Sequence, residues 1–172
     1  LDAVGGEALS RFADSLAQVP PTDDPVAGFF VMGMAYHRFA LTNPQRYQLI
    51  FGTASPQSLL EVRADVTVTG STTTRPEWSV TFEALHTVVR QMIAAGRIRD
   101  DGSLIMAARL WTLTHGAVTL EMAGYFGHAG HGLTEILGPL ALDTLVGMGD
   151  DREKAMRSLA TATELVAAQA GL

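Results

Sequence analysis

Apolar residues recur along the chain at the three-to-four-residue spacing of helices, and proline, glycine and acidic residues mark the breaks. Leu1, Val4, Ala8, Phe12, Leu16 and Val19 form one stripe, predicting a first helix from about Leu1 to Val19 that Pro20-Pro21 ends. Asp24 before Pro25 supplies a cap and a first-turn proline for a second helix, about Pro25 to Leu41. Its run VAGFFVMGMAYHRFAL is apolar almost all round, which predicts a central position. Asn43-Pro44 opens a short helix, Gln45 to Phe51. From Ser55 to Thr73 the pattern weakens. Leu59 to Val66 suits a helix, whereas Val66-Thr67-Val68-Thr69 and the GSTTT after it read as a polar loop or a short extended piece. Thr74 with Glu77 three residues on has the capping-box spacing, and the helix it opens is expected to reach about Ala95 and stop at Gly96. Asp100-Asp101-Gly102 turns the chain into a long helix, Ser103 to about Gly127. After a Gly127–Gly132 turn, Leu133 to Met148 carries Leu133, Ile136, Leu137, Leu140, Ala141, Thr144 and Leu145 on one stripe, with a kink or split at Gly138-Pro139. Asp150 or Asp151 caps a last helix reaching about Ala170. Seven or eight helices, no convincing strand and no repeat predict an all-α helical bundle.

The stretch Leu104 to Phe126, about 34 Å of helix, shows no polar face, and burial on all sides is expected of it. One row, Thr112, Gly116, Thr119 and Ala123, consists of small residues that allow close approach of another helix. Two readings fit: a central helix of a monomeric bundle, or a helix that a second copy of the chain completes in a two-fold dimer.

Composition narrows the class. At 172 residues the chain suits a single domain. It is 47% hydrophobic, yet Arg109, His115 and Glu121 interrupt its richest window, and an arginine at a bilayer centre costs roughly 2.5–3.5 kcal/mol. No membrane span is expected. Leu1 instead of an initiator methionine suggests a fragment boundary. Without cysteine there is no disulfide or thiolate metal site, which fits a reducing cytoplasm. A net charge of −6 with scattered basic residues argues against DNA binding by this chain alone.

Candidate chemistry is sparse. Asp23-Asp24, Asp100-Asp101 and Asp150-Asp151 each precede a helix start and read as caps before they read as acid–base pairs. Glu83 and His86 have a spacing that di-iron bundles use, but no second such motif accompanies them, so no metal or other cofactor is expected. His128 and His131 bracket a glycine turn, better suited to a helix connection than to a metal. Buried His115 and Glu121 are either ligand or dimer contacts or, the preferred reading, satisfied groups that fix helix packing. No serine sits in a nucleophile elbow, so no enzyme is expected. The Met and Phe supply of the second helix suits an adaptable apolar cavity as well as a core.

The run Leu110-Trp111-Thr112-Leu113-Thr114-His115-Gly116-Ala117-Val118-Thr119-Leu120-Glu121 resembles the signature of WHG-type TetR-family regulators, named for its Trp and His-Gly. LTNPQRYQLIFG (residues 41–52) is similar to that family's motif around a short mid-domain helix, and LDAVGGEALSRFADSLAQV to the helix following its helix-turn-helix head. The resemblance spans the chain. It implies a C-terminal ligand-binding and dimerisation domain of a transcriptional regulator, expected to be a repressor that a small, mostly apolar effector releases from DNA. DNA contact would come only through a head of about 45–50 residues upstream of Leu1. Expected effector contacts are Phe30, Met34, His37, Arg38, Tyr47, Phe51, Phe82, His86, Val89, Arg109, Leu110 and Leu113, between the second helix and those starting at Thr74 and Ser103. Expected homodimer contacts are Thr112, Gly116, Thr119, Ala123, Leu133, Leu137, Leu140 and Thr144. The rival reading is an all-helical enzyme or a haem- or metal-binding bundle.

Overall fold

A helix that is apolar all round must find partners all round, and the second helix does. The computed structural model describes residues 2–52, 57–127 and 130–171. Its helices are α1 (Asp2–Ala17), α2 (Pro25–Thr42), α3 (Pro44–Phe51), the single turns α4 (Gln57–Leu60) and α5 (Val66–Thr69), α6 (Pro76–Ala94), α7 (Ser103–Met122), α8 (Gly138–Gly147) and α9 (Arg152–Gln169). A π-helical stretch, Gly132–Leu137, runs straight into α8. Among the described residues there is no strand, and the sole bridge pairs Arg63 with Thr73. The all-α class read from the sequence holds. Leu1 and His128 lie outside the described residues.

α2 packs against α1, α3, α6, α7 and α9 and divides the core in two. One half gathers Val26, Phe29, Phe30, Phe82, Val89, Met92, Met106, Leu110 and Leu145; the other gathers Phe12, Tyr36, Phe39, Tyr47, Ile50 and Val118. Of the first stripe, Ala8, Phe12 and Leu16 are buried while Val4 stays exposed.

The caps explain most boundaries. Asp24 accepts the Val26 N–H at 2.9 Å, with Pro25 in the first turn. Gly96, at φ +65°, follows α6 in the left-handed conformation that closes a helix. Asp151 accepts the Lys154 N–H and starts α9.

Several expectations need correction. Val66–Thr69 is a helical turn, because the Asp65 carboxylate captures the Thr67 N–H and starts it, while Thr67 and Thr69 bond locally. Thr74 is not the cap of α6. Its hydroxyl turns back to the Val62 carbonyl, and Arg75 holds the cap position without a side-chain bond. Gly102 rather than an aspartate precedes α7; Asp100 caps the Gly102 N–H and Asp101 meets Arg99. α7 ends at Met122, not near Gly127, and its own chain does not cover every face: Ile105, Arg109, Thr112, Thr119 and Leu120 are exposed. The expected break at Gly138-Pro139 is a change of winding, with the Gly138 N–H bonded to Leu133 five residues back.

Asp150 is also no cap. Its buried carboxylate takes both Nε and Nη2 of Arg97, at 2.8 and 2.9 Å. Arg97 Nη1 reaches Asp24 at 3.0 Å and Nη2 reaches Ser158. One guanidinium thus ties the start of α2, the α6–α7 turn, the α8–α9 turn and α9 together. Burial pushes the Asp24 carboxyl up, but the Ser158 hydroxyl, the Ala27 and Val26 N–H groups and Arg97 outweigh it and hold it below its ordinary value.

Candidate ligand-binding site

Trp111 and His115 of the Trp/His-Gly run face inward where α2, α3 and α7 meet. Trp111 and His115 lie four residues apart on α7, hence on one face. Phe51, from the end of α3, packs on both rings, with centroids 6.3 Å from Trp111 and 5.1 Å from His115. Tyr36 of α2 and Tyr47 of α3 bring their hydroxyls to the same place. Tyr36 Oη lies 3.0 Å from Tyr47 Oη and 3.1 Å from His115 Nδ1, and Tyr47 Oη lies 2.6 Å from that nitrogen. Phe12 caps the group from α1, edge-on to Tyr36 at 5.0 Å.

This is a polar cluster inside an aromatic shell, and its surroundings fix its charge. Burial pushes the Tyr47 hydroxyl up to about 12 and Tyr36 well above its ordinary range. Burial also pushes the His115 ring below its ordinary value, and the positive charge of Arg63 adds to this. At neutral pH the cluster holds two neutral phenols and a neutral imidazole.

On the open side of His115 and Trp111 lies a cavity of about 260 Å³. Ile50 and Phe51 of α3, Val62 to Ala64 with Val66, Thr72, Thr73 and Thr81 wall it, and Leu9 of α1 closes one edge. Arg63 sits in that wall, its guanidinium 3.3 and 3.4 Å from the Ile50 and Gly52 carbonyls. A smaller cavity of about 50 Å³ adjoins it, sharing Phe51, Thr72, Thr81 and Trp111. Its walls are apolar: Phe12, Leu16, Phe29, Met32, Phe82 and Leu85. Beyond Phe29, Gly33 and Thr114 lies an almost wholly apolar groove of about 530 Å³ against the π-helical stretch, α8 and α9. The first two spaces form a chamber with a polar end and an apolar end, the usual plan of a small-molecule site.

The chain matches the family described as tetracyclin repressor-like, C-terminal domain, over residues 29–145, from the first turns of α2 through most of α8. The chain belongs to this family. The tetracyclin repressor-like assignment agrees with the all-α architecture. Among solved structures, a protein of unknown function from Rhodococcus sp. RHA1 superposes with a TM-score of 0.64. It is 17% identical, and the match covers 87% of this chain and 71% of that one, which shows a shared fold. Among curated proteins none matches.

In this tetracyclin repressor-like domain the expected effector contacts are spread over several places. Phe51 and Phe82 line the chamber, and Tyr47 stands behind its His115 wall. Phe30 and Met34 face the apolar groove. His37 and Arg38 border a pocket between α1, α2 and α9. There His37 Nε2 meets the buried Glu121 carboxylate at 2.7 Å, joining α2 to α7. His86 is bonded to Ser103 Oγ at 2.9 Å, at the start of α7. Val89 and Leu110 are fully enclosed, Leu113 packs against both halves of the core, and Arg109 is exposed.

Of the expected dimer contacts, Thr112, Thr119, Ala123 and Leu140 are exposed, Gly116, Leu133 and Thr144 half-buried, and Leu137 buried. Leu120 and Ile136, at 46% and 36% exposure, extend the open face. Sequence reasoning passed over the chamber residues Leu9, Val62, Arg63, Thr72 and Thr81, which lie mostly in the stretch with no clear periodicity. Among the described residues no group of three or more His, Asp or Glu is placed to hold a metal, and no helix is long and apolar enough to cross a membrane.

Proposed function

We propose that this chain is the effector-sensing and dimerisation half of a transcriptional regulator, a cytoplasmic repressor that a small, mostly apolar molecule releases from DNA. The observation that supports the sensing role is the chamber floored by Trp111 and His115. It is of ligand size, apolar at one end, and walled by α1, α6 and α7 together with the loop segments around α5. A ligand held there contacts the helix nearest the expected DNA-binding head (α1) and the helix bearing the open face (α7). It shifts DNA affinity only by the difference in its binding to the two spacings of the heads.

The exposed small residues Thr112 and Thr119 of α7 and Ala123 just after it, with half-buried Gly116 between them and exposed Leu140 on α8, support a seam between two copies. A two-fold axis there sets the two heads a fixed distance apart. The test is made on the gene product that includes the residues upstream of Leu1. They should encode a basic helix-turn-helix, and the whole protein should shift DNA from its own promoter in a gel and bind it as a dimer. An upstream segment of another kind, or a full-length protein indifferent to DNA, overturns the regulator reading.

A further inference from the structure

The polar cluster beneath the chamber determines which hydrogen-bonding group a ligand presents. Tyr36 and Trp111 line the small cavity side by side with Phe51, and the hydrogen-bonded polar atoms beneath it belong to the tyrosines and His115. Each tyrosine has one proton to give, and buried hydroxyls need an acceptor. One order satisfies both: Tyr36 donates to Tyr47 across 3.0 Å, and Tyr47 to His115 Nδ1 across 2.6 Å. The opposite order, with an Nδ1–H donating to Tyr47, would make that contact an N–H···O bond, whose range begins at about 2.7 Å, whereas the observed 2.6 Å belongs to an O–H donor. Nδ1 is therefore the acceptor at the end of the chain, and the neutral ring carries its proton on Nε2. Among the described residues that Nε2–H has no hydrogen-bond partner, and the ring borders the 260 Å³ cavity.

We infer that the chamber takes a ligand bearing a hydrogen-bond acceptor, of the carbonyl or ether class, seated on His115 Nε2–H with its apolar body against Trp111 and Phe51. A donor-only group would leave both itself and the imidazole N–H unsatisfied. The inference rests on reading the chamber as the effector site. Tyr47 acts as a positioning residue, since it selects the tautomer of the ring that meets the ligand.

Two measurements test it. In ¹⁵N-histidine-labelled protein, long-range ¹⁵N–¹H spectra should show His115 as the Nε2–H tautomer, and Tyr47→Phe should release it to a mixture. Acetophenone and ethylbenzene, alike in shape but differing in the carbonyl, are then titrated against the His115 resonance. The ketone should bind about tenfold more tightly, the value of one net neutral hydrogen bond, and His115→Phe should abolish the preference. If His115→Phe does not fold, Tyr47→Phe carries the comparison, with a reduced preference expected. An Nδ1–H tautomer in the parent protein, or equal binding of the two probes, overturns the inference and leaves the effector site intact. Binding of neither probe overturns the effector site and the inference with it.

Discussion

Gly116→Leu separates the stability of the chain from its association. Gly116 lies inside α7, and a Cβ built on it meets nothing within 4 Å. Within one copy the added Cβ therefore clashes with nothing, and with the rest of the side chain directed to the open face, removing a mid-helix glycine should stabilise the fold by about 0.5–1 kcal/mol. At roughly 2–4 °C per kcal/mol for a domain of this length, melting should rise by about 1–4 °C at protein concentrations where the parent is also monomeric. At a close helix crossing the effect has the opposite sign. Each leucine overfills the seam at a cost of about 1–3 kcal/mol, and two-fold symmetry places one on each side. A combined cost of roughly 2–6 kcal/mol weakens dimerisation by about 30-fold or more. Sedimentation velocity over a dilution series, together with thermal melts of the same samples, reads both quantities. The expected result is a more stable monomer and a weaker dimer. An unchanged dimer constant in a normally folded variant refutes a seam at Gly116, and a destabilised monomer refutes the open face itself.

Arg97→Met should cost about 3–5 kcal/mol in urea unfolding, because it leaves the Asp150 side chain, 1% exposed, without its bidentate partner. Adding Asp150→Leu should recover part of that loss; a cost below 1 kcal/mol for Arg97→Met would contradict the clamp. His115 is held below its ordinary value of 6.5 when folded, so the unfolded chain takes up a proton first as pH falls. Its contribution to stability is complete above about pH 6.5 and is lost as pH drops from there toward the lower folded value, and His115→Gln should flatten that part of the stability–pH curve. Gly132→Ala should destabilise by roughly 1–3 kcal/mol, since its Cβ falls on the Glu121 carboxylate that His37 holds in place. A wild-type melting curve for Gly132→Ala would show that this carboxylate moves aside at no cost.

The helices were legible where local signals and burial agree. Asp24-Pro25, Gly96 and Asp151 mark boundaries by backbone chemistry that needs no tertiary context, and α2 shows its central place by being apolar on every side. The chamber was much less legible. Half of the wall of its larger cavity comes from Val62 to Thr73, where short polar segments are held by side-chain-to-backbone bonds such as Asp65 to Thr67 and Thr74 to Val62. Such bonds leave no periodicity to read. Thr74 shows why the capping-box spacing misled, since its hydroxyl had a competing acceptor in a strand-like neighbour, the Val62 carbonyl, 12 residues earlier. The Trp111–His115 pair was visible as a motif, but Tyr36 and Tyr47, 79 and 68 residues from His115, could be joined to it only by the fold. Asp150 looked like a cap because a helix does begin next to it; its role depends on Arg97, 53 residues away.

The π-helical stretch from Gly132 to Leu137 makes chain length there matter more than residue identity. A π-turn holds one residue more than the α-turn it replaces, and one residue of α-helix is worth 100° of rotation. Deleting any single residue of the six would let the segment wind as ordinary α-helix. One flank would then turn by about 100° against the other. Either Leu137 and Ala141 leave the core, or Gly132 swings off the Glu121 carboxylate. In paired substitution and deletion scans this stretch should tolerate many substitutions on its exposed positions and no deletion, a tolerance profile opposite to that of a surface loop.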